Sequence, residues 1–160
     1  MMTLNEVIEQ EKQLQLPLFN NDIAWQLGLK IKELAESRNK TVVIEVYAFG
    51  QTLFQYSMQG TCIDQLDWMR RKRNAVLRYN KSSYQIALYN QAKQRVFEEM
   101  PHIDNQEYCG HGGSFPIRIQ GCGLIGTVTT SALSAEEDHA LVAEALTAIK
   151  HELEQSLFSR

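Results

Sequence analysis

The densest group of residues able to do chemistry is Gly110-His111-Gly112-Gly113-Ser114-Phe115-Pro116-Ile117. Residues without a Cβ let the chain adopt positive φ and approach a neighbour closely. Glycines beside a histidine can therefore bring backbone amides and an imidazole to one point. Two readings stand side by side. Gly112 and Gly113 permit a tight entry into a strand, or their amides and His111 line a pocket where the imidazole ligates a haem iron or donates to an anion. The segment is not a phosphate-binding P-loop. It lacks G-x-x-x-x-G-K-[ST], and a strand pattern follows it where a P-loop or a dinucleotide fingerprint needs a helix.

The second candidate is a lysine on an apolar helix face. Advancing about 100° per residue from Trp68 places Trp68, Met69, Ala75, Val76 and Tyr79 on one arc, with Lys72 near its middle. Arg71 and Arg78 fall on one flank with Asn74, and Arg70 points toward solvent. An unpaired buried ammonium is costly. Lys72 therefore snorkels to water, meets an acid within the fold or across a subunit interface, or joins Arg71 or Arg78 in holding a carboxylate or phosphate. The basic run 70–73 is too short, and its aromatic neighbours too core-facing, for nucleic-acid binding.

The other titratable groups offer less. His102 falls in a loop, His139 in the first turn of the last helix as a capping-region or interface contact, and His151 near the exposed chain end. No Ser-His-Asp set is evident, and Asp138 and His139, being adjacent, do not face each other on a helix. Cys62, Cys109 and Cys122 form no C-x-x-C pair, which predicts three reduced thiols and no zinc spacing.

The elements that must position these residues follow from period and punctuation. Residues 3–13 predict a first helix, ended by Pro17. A second follows caps at Asn20, Asn21 or Asp22, carries Ile23, Leu27, Ile31 and Leu34, and ends near Ser37. Residues 41–48 and 52–58 predict a hairpin around Gly50-Gln51. Residues 64–79 form a third helix, and Ser83 caps a fourth reaching about Lys93. Residues 98–109 read as irregular surface chain. Residues 115–120 and 122–130 form a second hairpin. Ser134-Ala135-Glu136-Glu137 is a capping box opening the last helix, with the acids 136–138 suited to its positive end. This order predicts an α+β fold with an antiparallel central sheet covered by helices.

The chain has 160 residues, 44% hydrophobic and 22% charged, which suits one domain over 1–160. A net charge of −3 gives no global attraction to nucleic acid or an anionic membrane. No apolar run approaches the ~20 residues that span a bilayer, and residues 1–15 lack an apolar signal core. A cytoplasmic protein is expected.

The combination of Asp67-Trp68-Met69-Arg70-Arg71-Lys72-Arg73-Asn74, Ser82-Ser83-Tyr84, His111-Gly112-Gly113-Ser114-Phe115-Pro116-Ile117, Gly126-Thr127-Val128-Thr129, Ser131-Ala132-Leu133 and Glu137-Asp138-His139 is specific in its order. It resembles the haem-degrading-domain family, the HbpS/GlcG-like group, and more closely an uncharacterised conserved branch of it. Ala132 departs from the glycine common after this serine. The resemblance implies a three-layer α-β-α domain with a profilin-like antiparallel sheet and a ring-like homo-oligomer. The wider group is linked with haem or corrinoid systems. Trp68, Arg71, Lys72 and His111 are carried over as candidate pocket residues. The expected protein is an oligomeric small-molecule binder with the ligand unassigned, haem or another anion. Lys72 with Arg71 or Arg78 would hold the acidic group, Trp68 or Phe115 would form an apolar wall, and His111 with Gly112 and Gly113 would make the polar contacts. A structural or interaction module, and a haem-degrading or corrinoid-pathway enzyme, are the alternatives.

Overall fold

The computed structural model describes residues 1–159. Five α-helices and four strands follow in the order α1 (Leu4–Gln13), α2 (Asn21–Ser37), β1 (Val43–Ala48), β2 (Gln51–Ser57), α3 (Ile63–Tyr79), α4 (Ser83–Ala92), β3 (Ser114–Ile119), β4 (Gly123–Ser131) and α5 (Ala135–Phe158). A single 3₁₀ turn, Phe97–Glu99, lies between α4 and β3. Side-chain caps fix the helix starts. Thr3 and Glu6 form a reciprocal capping box, Asn20 Oδ1 accepts from the Ile23 amide at 2.8 Å, and Ser134 Oγ accepts from the Glu137 amide. Each satisfies a backbone donor the helix leaves unpaired.

The strands form one antiparallel sheet in the order β2-β1-β4-β3. Strand alternation sends Ile44, Val46, Phe54, Phe115, Ile117 and Val128 to one face, under α2 and α5. Glu45, Thr127, Thr129 and Ser114 lie buried on the other, under α3. The result is a three-layer α-β-α domain with one apolar face and one polar face on the same sheet. Leu16 pairs with the outer edge of β3, its amide donating to Arg118 O and its carbonyl accepting from Gln120. That edge is thereby covered. The β2 edge is not, and most of β2 is exposed.

Local details depart from expectation. The first hairpin turns on Phe49 and Gly50, both at positive φ as two-residue turns require, and Gln51 already belongs to β2. Ser82, not Ser83, caps α4, accepting from the Gln85 amide at 3.0 Å. Ser83 is helical and ties α4 to β3, its Oγ accepting from the Ser114 amide at 2.9 Å. The segment 98–109 is not merely surface chain. Ile103 and Cys109 are buried, and Phe97 just before it joins Ile103, Ala75 and Ile86 in a second small core. These anchors recur at no regular period, so periodicity could not reveal them. Arg70 does not simply extend to solvent: it pairs with Asp67 and Glu107 and donates to Gln106 O, stitching α3 to this segment.

His139 is buried among protein groups. It is 1% exposed, between the rings of Tyr84 and Phe115, with Nε2 2.7 Å from Gln10 Oε1. Burial lowers its pKa to about 4. The unfolded chain therefore takes up a proton that the folded chain refuses. The resulting stability is present above pH 6.5 and is lost as pH falls toward 4, by about 3 kcal/mol in all. Urea midpoints of wild type and His139→Phe across this range check it. The wild type should lose stability relative to the variant on acidification, and parallel curves would contradict the assignment.

Candidate functional site

A half-open cleft of about 260 Å³ lies between α3, the His111 loop and the turn from β4 into α5. Asp64, Trp68 and Lys72, at i, i+4 and i+8, share the α3 face that lines it, with Gln65 beside them. Gln65 Oε1 accepts from the Cys62 amide at 2.6 Å and steadies the helix start. Ser131, Ala132, Leu133 and Ala135 form the opposite side, and His111 the mouth.

Trp68 stands between two of the predicted residues. The Arg71 guanidinium lies over its ring at 4.2 Å, and the His111 ring meets it edge-on at 5.4 Å and 77°. Arg71 Nε donates to Asp67 at 3.0 Å, and its terminal nitrogens form no hydrogen bond among the described residues. His111 is 53% exposed on its side chain, so the imidazole is available at the opening.

Lys72 meets an acid within the fold. It is 4% exposed, and its Nζ donates to Asp138 Oδ2 at 3.1 Å and to Thr130 O at 3.3 Å. Thr130 Oγ1 donates to the other Asp138 oxygen at 3.2 Å. Asp138 is wholly buried, so it is not a solvated acid at the helix end. Burial raises its pKa, opposed by Lys72 and Thr130. The pair joins α3, over the polar face of the sheet, to α5, over the apolar face. Lys72 thus reaches the cleft wall with its charge already compensated. Gly112 and Gly113 give the loop its close fit. A Cβ on Gly112 would lie 2.3 Å from Ala135 O, and Gly113, at φ +139°, passes directly beside Lys72 Nζ.

Of the predicted residues, Trp68, Lys72 and His111 line the cleft; Arg71, Gly112 and Gly113 lie beside it, against Trp68, Ala135 and Lys72, and two lie elsewhere. Phe115 is buried against α5 on the apolar sheet face, because it alternates with Ser114 on β3, and it forms no wall of this cleft. Arg78 shares the flank of Arg71 but lies about two turns further along α3, over the Tyr79 and Tyr108 rings and away from the cleft. The cleft residues beyond the prediction are Asp64, Gln65 and the 131–135 turn. The i, i+4 relation to Trp68 was the available signal for Asp64.

Ala132 shapes that turn at φ +113°, a conformation that favours glycine. This explains the departure noted in the sequence: an alanine occupies a backbone position suited to glycine. Ala132→Gly is expected to raise stability by about 1 kcal/mol, strain relief outweighing the entropy glycine adds to the unfolded chain. Chemical denaturation reads it, and an unchanged or lower midpoint would contradict the strain.

The chain is similar to known proteins over most of its length. A UPF0303 protein of Psychromonas ingrahamii is 50% identical over 154 residues, covering 96% of this chain and 97% of that protein. The crystal structure of Ybr137w superposes with a TM-score of 0.86 at 28% identity, over 93% of this chain and 88% of that one. The structure of PduOC in complex with haem gives a TM-score of 0.70 at 16% identity, over 81% of this chain and 94% of that one, a likeness of fold alone. No helix among the described residues is long and apolar enough to cross a membrane. Residues 19–147 match the family described as haem degrading protein HbpS-like, and the chain belongs to that family.

Proposed function

We propose that the protein is a homo-oligomeric small-molecule-binding member of this family, and that the cleft beneath Trp68 and His111 takes a flat ligand bearing an acidic group, with haem the first to test. The observation that carries this is the meeting of an aromatic wall and an exposed imidazole in one cleft, with a cation that keeps free donors stacked on the same aromatic ring. Trp68 offers the stacking surface. Arg71 offers its terminal nitrogens to a carboxylate, the role the sequence shared with Lys72. Lys72 holds the cleft wall in place through Asp138. His111 offers a nitrogen to an iron or a polar group. The volume of about 260 Å³ lies just below the usual range for ligand pockets, which starts at about 300 Å³. A tetrapyrrole would project beyond one chain, where a neighbouring copy completes its cover. The haem complex of a protein with this fold supports haem as the starting ligand.

The test is a haem titration of the ligand-free protein followed by the Soret band, on wild type and His111→Ala in parallel. A saturable shift in wild type, lost or moved in the variant, is the expected result. No saturable shift in wild type would remove haem from the proposal. A specific observation favours a second reading, a non-catalytic interaction module. Trp25 and Phe49 are 56% and 60% exposed, and β2 beside them has an unpaired edge. On that reading Trp25→Ser lowers the sedimentation coefficient while haem binding is absent throughout.

A further inference from the structure

Behind His111, on the side of the 3₁₀ turn, the fold gathers three chemically different ligand atoms. A carboxylate oxygen of Glu98, Cys109 Sγ and an imidazole nitrogen of His111 all lie within 4.8 Å of one another. The residues span fourteen positions with no metal-binding spacing, so the sequence predicts no zinc there. The chain itself brings them together. The Cys109 amide donates to Arg71 O at 3.2 Å, which fixes the thiol against α3. The Gly110 amide donates to Glu98 Oε1 at 2.7 Å, which fixes the carboxylate. The Trp68 ring packs edge-on against the His111 ring.

We propose that Glu98, Cys109 and His111 bind a zinc-type divalent cation, with a further coordination position left to solvent or a ligand. The donor set selects the class of ion. A thiolate and an imidazole suit zinc and its neighbours and disfavour magnesium or calcium, which take oxygen ligands. Three protein ligands of mixed type are the number found in open, non-structural zinc sites. His111 Nε2 and Glu98 Oε1 are 3.6 Å apart, close to the about 3.4 Å that separates nitrogen and oxygen around tetrahedral zinc of ordinary bond lengths. The three ligand atoms all lie within 4.8 Å of one another, and His111, half exposed, has room to adjust toward the thiolate.

Glu98 is three-quarters buried, and among the described residues no lysine or arginine pairs with it. Burial and the Glu98 charge push the Cys109 thiol up to about 11, so the cation must displace its proton, and the assignment rests on the geometry of the three ligand atoms. A divalent cation would compensate one carboxylate and one thiolate together. On binding, the sulfur–metal bond forms and the thiol proton passes to solvent.

The inference goes beyond the cleft reading and does not depend on haem: His111 is common to both sites, but Glu98 and Cys109 do not line the cleft, so their variants report on the cation alone. The experiment uses the full chain with Cys62→Ser and Cys122→Ser, so that Cys109 is the sole thiol. After chelator treatment it is titrated with Co²⁺ and then with Zn²⁺, without haem. The expected result is one cobalt per chain, a near-ultraviolet thiolate-to-cobalt band, and displacement by equimolar zinc. Cys109→Ala should abolish the band. Glu98→Gln and His111→Ala should each weaken affinity by about 100-fold or more, at or above the top of the range for lost supporting groups. Should Cys109→Ala fail to fold, the two partly exposed positions decide the matter. Absence of the band in the sole-thiol protein, or equal affinity in all variants, would overturn the proposal.

Discussion

Asp138→Ala is expected to destabilise the protein by about 3–5 kcal/mol, the cost of leaving a buried ammonium without its partner. Lys72 cannot recover this by turning to water, because it is packed at 4% exposure under Gly113 and against the end of β4. The loss should come mainly from the unpaired charge and not from deleted contacts. That distinction is testable. Removing both charges with Lys72→Met and Asp138→Leu should recover most of the stability, since a well-packed apolar pair often replaces a buried ion pair without loss. Urea unfolding of the two singles and the double gives the coupling. A loss below about 1 kcal/mol in Asp138→Ala, the range of exposed pairs, would contradict the pair's structural role.

Gly113→Ala is expected to cost about 3 kcal/mol or more, from two sources. A Cβ there would sit 2.5 Å from Thr130 O, a backbone atom that cannot move aside, and 2.8 Å from Lys72 Nζ. The backbone at φ +139° is also a conformation that side chains other than glycine's rarely adopt. The same Cβ would press on the ammonium and lengthen its bond to Asp138. Gly121, at φ +76° with open space around it, is the control. Gly121→Ala carries only the backbone strain and should cost clearly less. Thermal unfolding of both compares them, and equal losses would show that close packing at Gly113 contributes nothing.

These two residues also show how far the sequence could be read. Helix starts were legible where a polar cap preceded an apolar stripe, as at Asn20 and Ser134, because capping is a local effect, while adjacent serines left the α4 cap one residue out. Trp68 and Lys72 were legible as neighbours on one face of α3, and the structure brings His111 to them. The acid that meets Lys72 was less legible. Three acids open α5, and all suit its positive end. Only Asp138 shares a face with Leu141, Val142, Ala145 and Ile149, a spacing that marks it as inward. Phe115 was misplaced because its strand alternation was not followed: Ser114 and Phe115 must face opposite ways. The meeting of Glu98, Cys109 and His111 had no local signal. It depends on Phe97 and Ile103 anchoring an irregular segment to α3 and α4, and such non-periodic contacts appear only once the chain is folded.

The claim that the Trp68 cleft is the binding site rests on groups that do not hold the fold together. The most direct measurement is therefore the dissociation constant for haem in wild type, Trp68→Ala and Arg71→Ala, with sedimentation velocity confirming that assembly is unchanged. Losing the stacking surface or the carboxylate partner should each weaken binding by about tenfold, or 1.4 kcal/mol. Saturable haem binding of equal affinity in all three proteins would place the ligand elsewhere and contradict the account.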